Sequence, residues 1–174
     1  VLAVRIFLTH FEDDYEPMNR VYAEHFPSQR RPARTCVGVT ALARGARVGR
    51  MRYGLAWADL SAGRFLVEEV EGDELLASEL ARLDPAEVLY ADEDGWPAAV
   101  HSARGARRRA PWYFEHDACR RQLLKFFSLQ NLDGFGIEDA PLAIAAAGAL
   151  LGYVQETQKS RLPHLGAIVR ESAD

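Results

Sequence analysis

The sequence has little cysteine and no long apolar run. Only two of its 174 residues are cysteine, too few for the disulfide framework that stabilises small secreted domains. No stretch approaches the ~20 consecutive apolar residues that a membrane-spanning helix needs. No charged segment followed by an apolar one has the form of a secretion signal. We therefore expect a cytoplasmic protein without membrane contact.

The chain also lacks a large excess of charge of one sign. Its net charge of −4 creates no overall field that would attract nucleic acid. The charge is unevenly distributed, however, because residues 1–50 hold eight arginines and five acidic residues, whereas residues 51–174 hold thirteen basic and twenty acidic residues. This shift indicates two parts of different origin. We predict one domain over residues 1–49 and a second over residues 50–174.

The first part predicts a β-α-β unit. Apolar residues alternate over residues 4–8, as in a strand. They recur every three or four positions over residues 15–26, as on one face of a helix. A second strand is predicted at residues 35–42, and the glycine-containing residues 43–47 predict a connection.

The second part predicts a β-hairpin followed by alternating helices and strands. The elements, in order, are strands at 53–59 and 64–70, a helix between Gly72 and Pro85, a strand at 88–90, and helices at 118–127 and 141–158. Asp117 is placed to cap the second of these helices. The last helix is so rich in alanine that it can pack closely against a sheet. This order of elements favours an α/β layered fold.

Five stretches of the second part occur together, in this order, in one known family. They are LSAGRF at residues 60–65, LARLDPAEVLY at 80–90, RRRAPW at 107–112, DGFGIEDAP at 133–141 and AAGALLGYVQETQ at 146–158. Through these stretches, residues 52–168 resemble the connector domain, or domain II, of the DNA mismatch-repair protein MutS.

This resemblance implies an RNase H-like sheet flanked by helices, with no catalytic site and no cofactor in this segment. It implies a coupling role in DNA mismatch repair, in which the domain joins the mismatch-recognition and ATPase parts and contacts MutL. Duplex DNA and ATP would then be bound only by the full-length protein. The family's MutL-contacting surface includes the start of the helix after the arginine-rich loop, which corresponds to Arg121 and Gln122. By helical spacing these two residues lie opposite the apolar side of that helix, so we expect both to project into solvent.

Four stretches of the first part occur in order in a second family. They are FLT at residues 7–9, MNRVY at 18–22, FP at 26–27 and PARTC at 32–36. Residues 1–48 thereby resemble the C-terminal half of the RidA/YjgF imine deaminases.

That resemblance implies that Arg34 clamps a substrate carboxylate, with Cys36 closing the same motif. A guanidinium group suits the task because it donates two parallel hydrogen bonds to one carboxylate. The glutamate that the family carries on the next strand has no equivalent here, since Ala46-Arg-Val-Gly-Arg stands in its place. The family's N-terminal half is also missing. We therefore expect no catalysis from this remnant.

Several other patterns have both a functional and a structural interpretation. Arg107, Arg108 and Arg109 lie close to Trp112, as in a phosphate-binding patch with an aromatic platform. Their surroundings are acidic, and the first family places the run in a loop, so we favour a solvated loop. His116 and Cys119 have metal-like spacing, but two ligands do not complete a tetrahedral site, and we expect no metal.

We interpret the chain as an α/β domain of the MutS-connector type with a RidA-like β-α-β appendage, acting as a non-enzymatic coupling module. One alternative is a RidA-type 2-imino or enamine deaminase that completes its site with a second chain. Another is an RNase H-like nuclease that uses Asp59 as a metal ligand. The oligomeric state stays open, with a homo-oligomer among the alternatives. We further predict that residues 34–42 pair antiparallel with residues 53–59.

Overall fold

A six-stranded sheet forms the middle layer of the fold. The computed structural model describes residues 3–5, 20–21, 33–35, 39–47, 50–59, 63–158 and 165–171. The strands are β1 (Ala3–Arg5), β2 (Ala33–Thr35), β3 (Val39–Arg47), β4 (Arg50–Asp59), β5 (Arg64–Glu71), β6 (Glu87–Ala91), β7 (Ala106–Arg109) and β8 (Ile168–Arg170). The helices are α1 (Asp73–Leu83), α2 (Ala98–His101), α3 (His116–Phe127) and α4 (Pro141–Gln158), with 3-10 turns at Pro111–Phe114 and Asp133–Phe135.

The sheet combines an antiparallel meander with parallel additions. Its strand order is β7-β6-β3-β4-β5-β8. β3, β4 and β5 are antiparallel neighbours, whereas β6 and β7 run parallel to β3, and β8 runs parallel to β5. A mixed sheet with helices on its faces confirms the α/β class predicted from the sequence.

The predicted pairing of β3 with β4 is confirmed for part of its length. Val39 lies opposite Ala58 and Leu42 opposite Leu55 in an antiparallel ladder. Arg34 does not join this ladder. It lies instead in β2, which pairs in parallel with β1 in a separate two-stranded sheet. Residues 20–21 are helical, and the rest of the helix predicted over residues 15–26 lies outside the described residues.

The connection predicted at residues 43–47 is wrong, because β3 continues to Arg47, which lies opposite Arg50. Gly45, which suggested a turn, is a strand residue. A Cβ atom at this position would lie 3.0 Å from Cδ2 of Leu142 on α4. The glycine therefore makes room for the helix and does not reverse the chain. Three further elements, α2, β7 and β8, were not predicted.

Two helical layers cover the sheet, one on each face. α3 and α4 pack on the face that carries Ala41, Ala56 and Phe65, which we call the α4 face. α1 and α2 pack on the opposite face, with Leu42, Leu55, Trp57, Leu76 and Val100 in its core, which we call the α1 face. Successive strand residues alternate between the faces, as a pleated strand requires. Among the described residues, no helix is both long enough and apolar enough to cross a membrane.

α4 approaches the sheet very closely. A Cβ atom at Gly54 on β4 would overlap the backbone carbonyl of Leu142, so only glycine fits under the helix there. At its other side, α4 meets α3 at Gly148, where a Cβ atom would overlap Cβ of Cys119. The alanine-rich composition of α4 thus serves contacts on two sides.

A half-buried glutamate fixes the N-terminus of α4. Oε1 of Glu69 on β5 accepts hydrogen bonds from the backbone N–H groups of Leu142, at 2.8 Å, and Ala143, at 3.2 Å. The same carboxylate pairs with Arg52 on β4. A negative charge at a helix N-terminus is favourable because the free N–H groups there carry partial positive charge. The sheet therefore sets the position of α4 by a polar contact as well as by packing.

Replacing Gly54 by alanine should destabilise the protein by at least the ~1–3 kcal/mol typical of overpacking, because the new methyl group would meet backbone that cannot rotate away. Thermal and urea denaturation measure the effect. Gly134→Ala is the matched control, since no heavy atom lies within 4 Å of the added Cβ. A Gly54→Ala protein as stable as the parent would contradict the close packing described here.

Candidate functional site

The start of α3 is fixed by Glu115 and not, as predicted, by Asp117. The Glu115 carboxylate accepts hydrogen bonds from the backbone N–H groups of Asp117, at 3.3 Å, and Ala118, at 2.7 Å. Asp117 lies in the first turn of α3, where its carboxylate is 2.9 Å from Nδ1 of His116. The prediction chose the wrong acid because two acidic residues flank the helix start and their carboxylates compete for the same role.

Arg121 and Gln122, the predicted contact residues, differ in their surroundings. Arg121 is exposed, as predicted. Gln122 is half-buried, and its Nε2 donates a hydrogen bond to Oε1 of Gln155 on α4 at 3.0 Å. The expectation that Gln122 projects into solvent is therefore wrong. Its position three residues after the buried Cys119 places it at the edge of the face that packs on α4.

The arginine run forms an edge strand, β7, and not the loop that was favoured. Arg107 pairs with Glu87 at 3.0 Å, Arg108 with Asp92 at 3.2 Å and Arg109 with Glu156 at 2.7 Å. The acidic residues that suggested a solvated loop are thus the partners that hold the arginines on the sheet. Each of the three guanidinium groups has a carboxylate of the same chain beside it.

A pair of aromatic side chains lies between β7 and α3. Trp112 is 72% exposed, and its ring stacks on that of Tyr113, with 6.2 Å between the centroids. The guanidinium carbon of Arg109 lies 4.0 Å from the centroid of the Tyr113 ring, as in a cation–π contact. Arg109 also reaches Glu156 near the end of α4.

These contacts link β7 and the Trp112–Tyr113 pair to the end of α4, and α3 to α4. We call these residues, together with the exposed Arg121 of α3, the α3–α4 surface. Its members are Arg109, Trp112, Tyr113, Arg121, Gln122, Gln155 and Glu156. It combines an exposed tryptophan and an exposed arginine with polar side chains that are already held in place. Tryptophan, tyrosine and arginine are the residues that most often dominate the binding energy of protein interfaces, so this surface is suited to bind a protein.

Neither Cys119 nor its neighbours form a reactive or metal-binding group. Burial, followed by the charge of Glu115, raises the pKa of the Cys119 thiol to about 12. Its Sγ donates to the backbone carbonyl of Tyr113 at 3.3 Å. Across the part of the chain that the structure describes, no three His, Cys, Asp or Glu side chains are grouped so that they could hold a metal ion.

Of the two RidA-like site residues, Arg34 and Cys36, the structure describes only Arg34. Arg34 lies in β2, paired in register with Val4 of β1. Cys36 lies outside the described residues.

Comparison with known families assigns the larger part of the chain. The model of the MutS domain II family matches residues 38–166. The chain belongs to the MutS domain II family. The match begins just before β3, so both strands of the β3–β4 ladder lie within the MutS domain II region. The resemblance to the MutS connector domain is thereby confirmed.

A second family model, that of endoribonuclease L-PSP, matches residues 1–49. This is the family described above as RidA/YjgF, so that resemblance is also confirmed. The two matches overlap over residues 38–49, which contain β3. The boundary predicted between residues 49 and 50 falls directly before Arg50, the first residue of β4, which lies opposite Arg47 of β3.

Replacing Glu115 by alanine should lower the free energy of unfolding by about 1 kcal/mol, the usual value of a lost N-cap. Asp117→Ala should have a smaller effect, because the Asp117 side chain accepts no backbone hydrogen bond at the helix start. Urea denaturation of both variants near neutral pH measures the difference. A larger loss for Asp117→Ala than for Glu115→Ala would restore Asp117 as the cap.

Proposed function

We propose that this chain is a non-catalytic connector module of a MutS-type mismatch-repair protein, which holds neighbouring MutS domains in position and contacts MutL through the α3–α4 surface. The family match over residues 38–166 carries the proposal. The exposed Arg121 and Trp112 support the placement of the contact.

The strand order supports an RNase H-like sheet. Three antiparallel strands followed by two strands added parallel to the first is the order of an RNase H-like sheet. A two-metal nuclease needs several carboxylates that converge on one place. Near the end of β3, the carboxylate of Glu93 instead lies beside a cation. Nη2 of Arg44 is 3.6 Å from Oε2 of Glu93, and the Arg44 guanidinium carbon is 5.2 Å from the centre of the Trp96 ring.

Asp59 is also badly placed for such chemistry. Tyr53 lies opposite Arg44 in the β3–β4 ladder, and Asp59 is six residues further along β4, or roughly 20 Å at the rise of an extended strand. It therefore lies towards the opposite end of the sheet from Arg44 and Glu93. Glu93 is therefore not a second carboxylate beside Asp59, as the nuclease alternative would need.

The internal pairing of the β7 arginines favours contact with DNA only through the full-length protein. Binding to the phosphate backbone depends on basic side chains that can release counterions from the nucleic acid. Arg107, Arg108 and Arg109 already face Glu87, Asp92 and Glu156. A phosphate would have to compete with these carboxylates.

Charge reversal at Arg121 should weaken binding to MutL without unfolding the domain. Arg121 is exposed, and substitutions at such positions usually change stability by no more than ~0.5 kcal/mol. Crosslinking of the purified chain to MutL measures the contact. Arg121→Glu should reduce the crosslinked fraction severalfold, and combination with Gln122→Ala should reduce it further.

Glu74→Lys is the control for this experiment. Glu74 is an exposed residue of α1, which lies on the opposite face of the sheet, so its reversal should leave MutL binding unchanged. Thermal denaturation of each variant separates a lost contact from a lost fold. A parent chain that does not crosslink to MutL, or variants that crosslink as well as the parent, would refute the proposed contact.

The match of residues 1–49 to the endoribonuclease L-PSP family favours one alternative, a 2-imino or enamine deaminase. We expect no such activity, because the sequence offers the carboxylate clamp Arg34 without the glutamate that would position water, and general acid–base assistance is typically worth ~10²–10⁴-fold. Hydrolysis of the imines formed by dehydration of serine or threonine tests this. Turnover above background that is lost in Arg34→Ala would establish the alternative.

A further inference from the structure

Glu68 on β5 is an ionisable side chain inside the protein. Only 1% of its surface is exposed, and its Oε1 has no hydrogen-bond partner. Burying an ionised carboxylate is costly unless it is paired and hydrogen-bonded. Of the residues that the structure describes, Glu68 and Thr40 are the only buried polar ones, so the position of Glu68 calls for a physical explanation.

Charged groups face Glu68 from two places, α1 and the residue after β8. α1 contributes Glu79 and Arg82, and the residue after β8 contributes Glu171. Nη2 of Arg82 lies 3.8 Å from Oε1 of Glu68 and 3.4 Å from Oε2 of Glu171, while its Nε lies 2.5 Å from Oε2 of Glu79. One guanidinium group is therefore shared among three carboxylates.

Among the described side chains of the adjacent strand β4, none on this face is charged. Asp59, which alternation assigns to the same face, lies opposite Arg64, four residues from Leu55, the residue opposite Glu68. On β4 the buried residues of the α1 face are Tyr53, Leu55 and Trp57, and the guanidinium of Arg82 lies 5.6 Å from the centre of the Trp57 ring. On β5 itself the nearest charged residue of the same face is Arg64, four residues or about 13 Å away along the strand. Val169 is the β8 residue on this face.

The charge balance of the cluster favours a bound proton. With all three carboxylates ionised, one arginine leaves two negative charges uncompensated in a partly buried place. Carboxylates this close do not all ionise together, and the proton goes to the most buried one. Burial, followed by the charge of Glu79 and its hydrogen bond, raises the pKa of Glu68 to about 7, whereas Arg82 acts in the opposite direction.

The cluster also lies against the last strand of the sheet. The backbone N–H of Glu171 donates to the carbonyl of Val67 at 2.8 Å, which continues the β5–β8 ladder to the position beside Glu68. Like charges on directly neighbouring strand positions are destabilising. β8 has only three paired residues, so a repulsion between Glu68 and Glu171 acts on a short and easily opened strand.

We propose that Glu68 is a proton-binding site that couples the attachment of β8 to pH. When protonated, the Glu68 carboxyl donates a hydrogen bond to Glu79 and leaves Arg82 to pair with Glu79 and Glu171. When the proton is lost to solvent, the Glu68 carboxylate repels both other acids, and the end of β8 opens more often.

The direction of the pH dependence follows from the raised pKa. Between the ordinary glutamate range and about pH 7, the folded state holds a proton on Glu68 that the unfolded state does not. The stabilisation by this group is therefore complete at low pH and falls as the pH rises through that window. Above about pH 7 the loss is complete, and Glu68 contributes no further pH dependence.

NMR of the intact chain tests the proposal with two readings. The carboxyl carbon of Glu68 should titrate near neutral pH. The protection factor of the Glu171 amide against hydrogen exchange, corrected for the intrinsic rate, should fall by about tenfold or more between roughly pH 5 and pH 8. A Glu68 that titrates in the ordinary glutamate range would overturn the proposal.

Variants separate the proton site from a general effect of pH. Glu68→Gln keeps the shape of the protonated side chain and should make Glu171 protection independent of pH. Glu79→Gln removes a neighbouring charge and should lower the pKa of Glu68. This measurement tests the proposal even if Glu68→Gln does not fold. The control is Glu74→Gln on the exposed side of α1, which should behave as the parent. The same pH dependence in Glu68→Gln as in the parent would refute the coupling.

Discussion

The close contact between α4 and the strands β3 and β4 is the constraint on which the rest of the fold depends. It requires glycine at position 54, where any side chain would overlap the Leu142 carbonyl. At position 45 it leaves little room for a side chain, because an added Cβ atom would lie close to the Leu142 side chain. Glu69 then fixes the start of the helix by accepting two of its free N–H groups. Because α4 is held so tightly on one side, α3 can pack on its other side through Gly148. The α3–α4 surface is therefore a consequence of small residues placed deep in the fold.

The sequence predicted the elements whose signals are local. The bounds of α4 were correct because the segment is long and apolar and has a proline at its first position, where the missing N–H costs little. The β4–β5 hairpin was correct because a glycine-containing turn separates two β-rich runs. β7 was missed because an arginine run resembles a loop, and its partners Glu87, Asp92 and Glu156 are distant in sequence. Residues 43–47 were misjudged because Gly45 makes room for Leu142 of α4, a residue almost one hundred positions later in the chain.

The candidate site was predictable to the same extent. Helical periodicity gave the exposure of Arg121, which depends only on α3. It did not give the hydrogen bond between Gln122 and Gln155, because that contact depends on how α3 and α4 cross at Gly152. The cluster behind the proposed proton site was not predictable from sequence, since alternation places Glu68 on the α1 face without saying that Glu79, Arg82 and Glu171 meet there.

The overlap of the two family matches over residues 38–49 places β3 at the meeting of two sequence families. Its ladders with β4 and β6 place it in the middle of a sheet of which the MutS domain II match covers every strand except β8. The proposed connector role of residues 38–166 in mismatch repair can be tested in cells. The most direct test replaces domain II of a full-length MutS by these residues and measures the mutation rate of cells that depend on the chimaera. The account predicts a rate well below that of cells whose MutS lacks domain II. An equal rate, from a chimaera that is folded and still binds mismatched DNA and ATP, would contradict it.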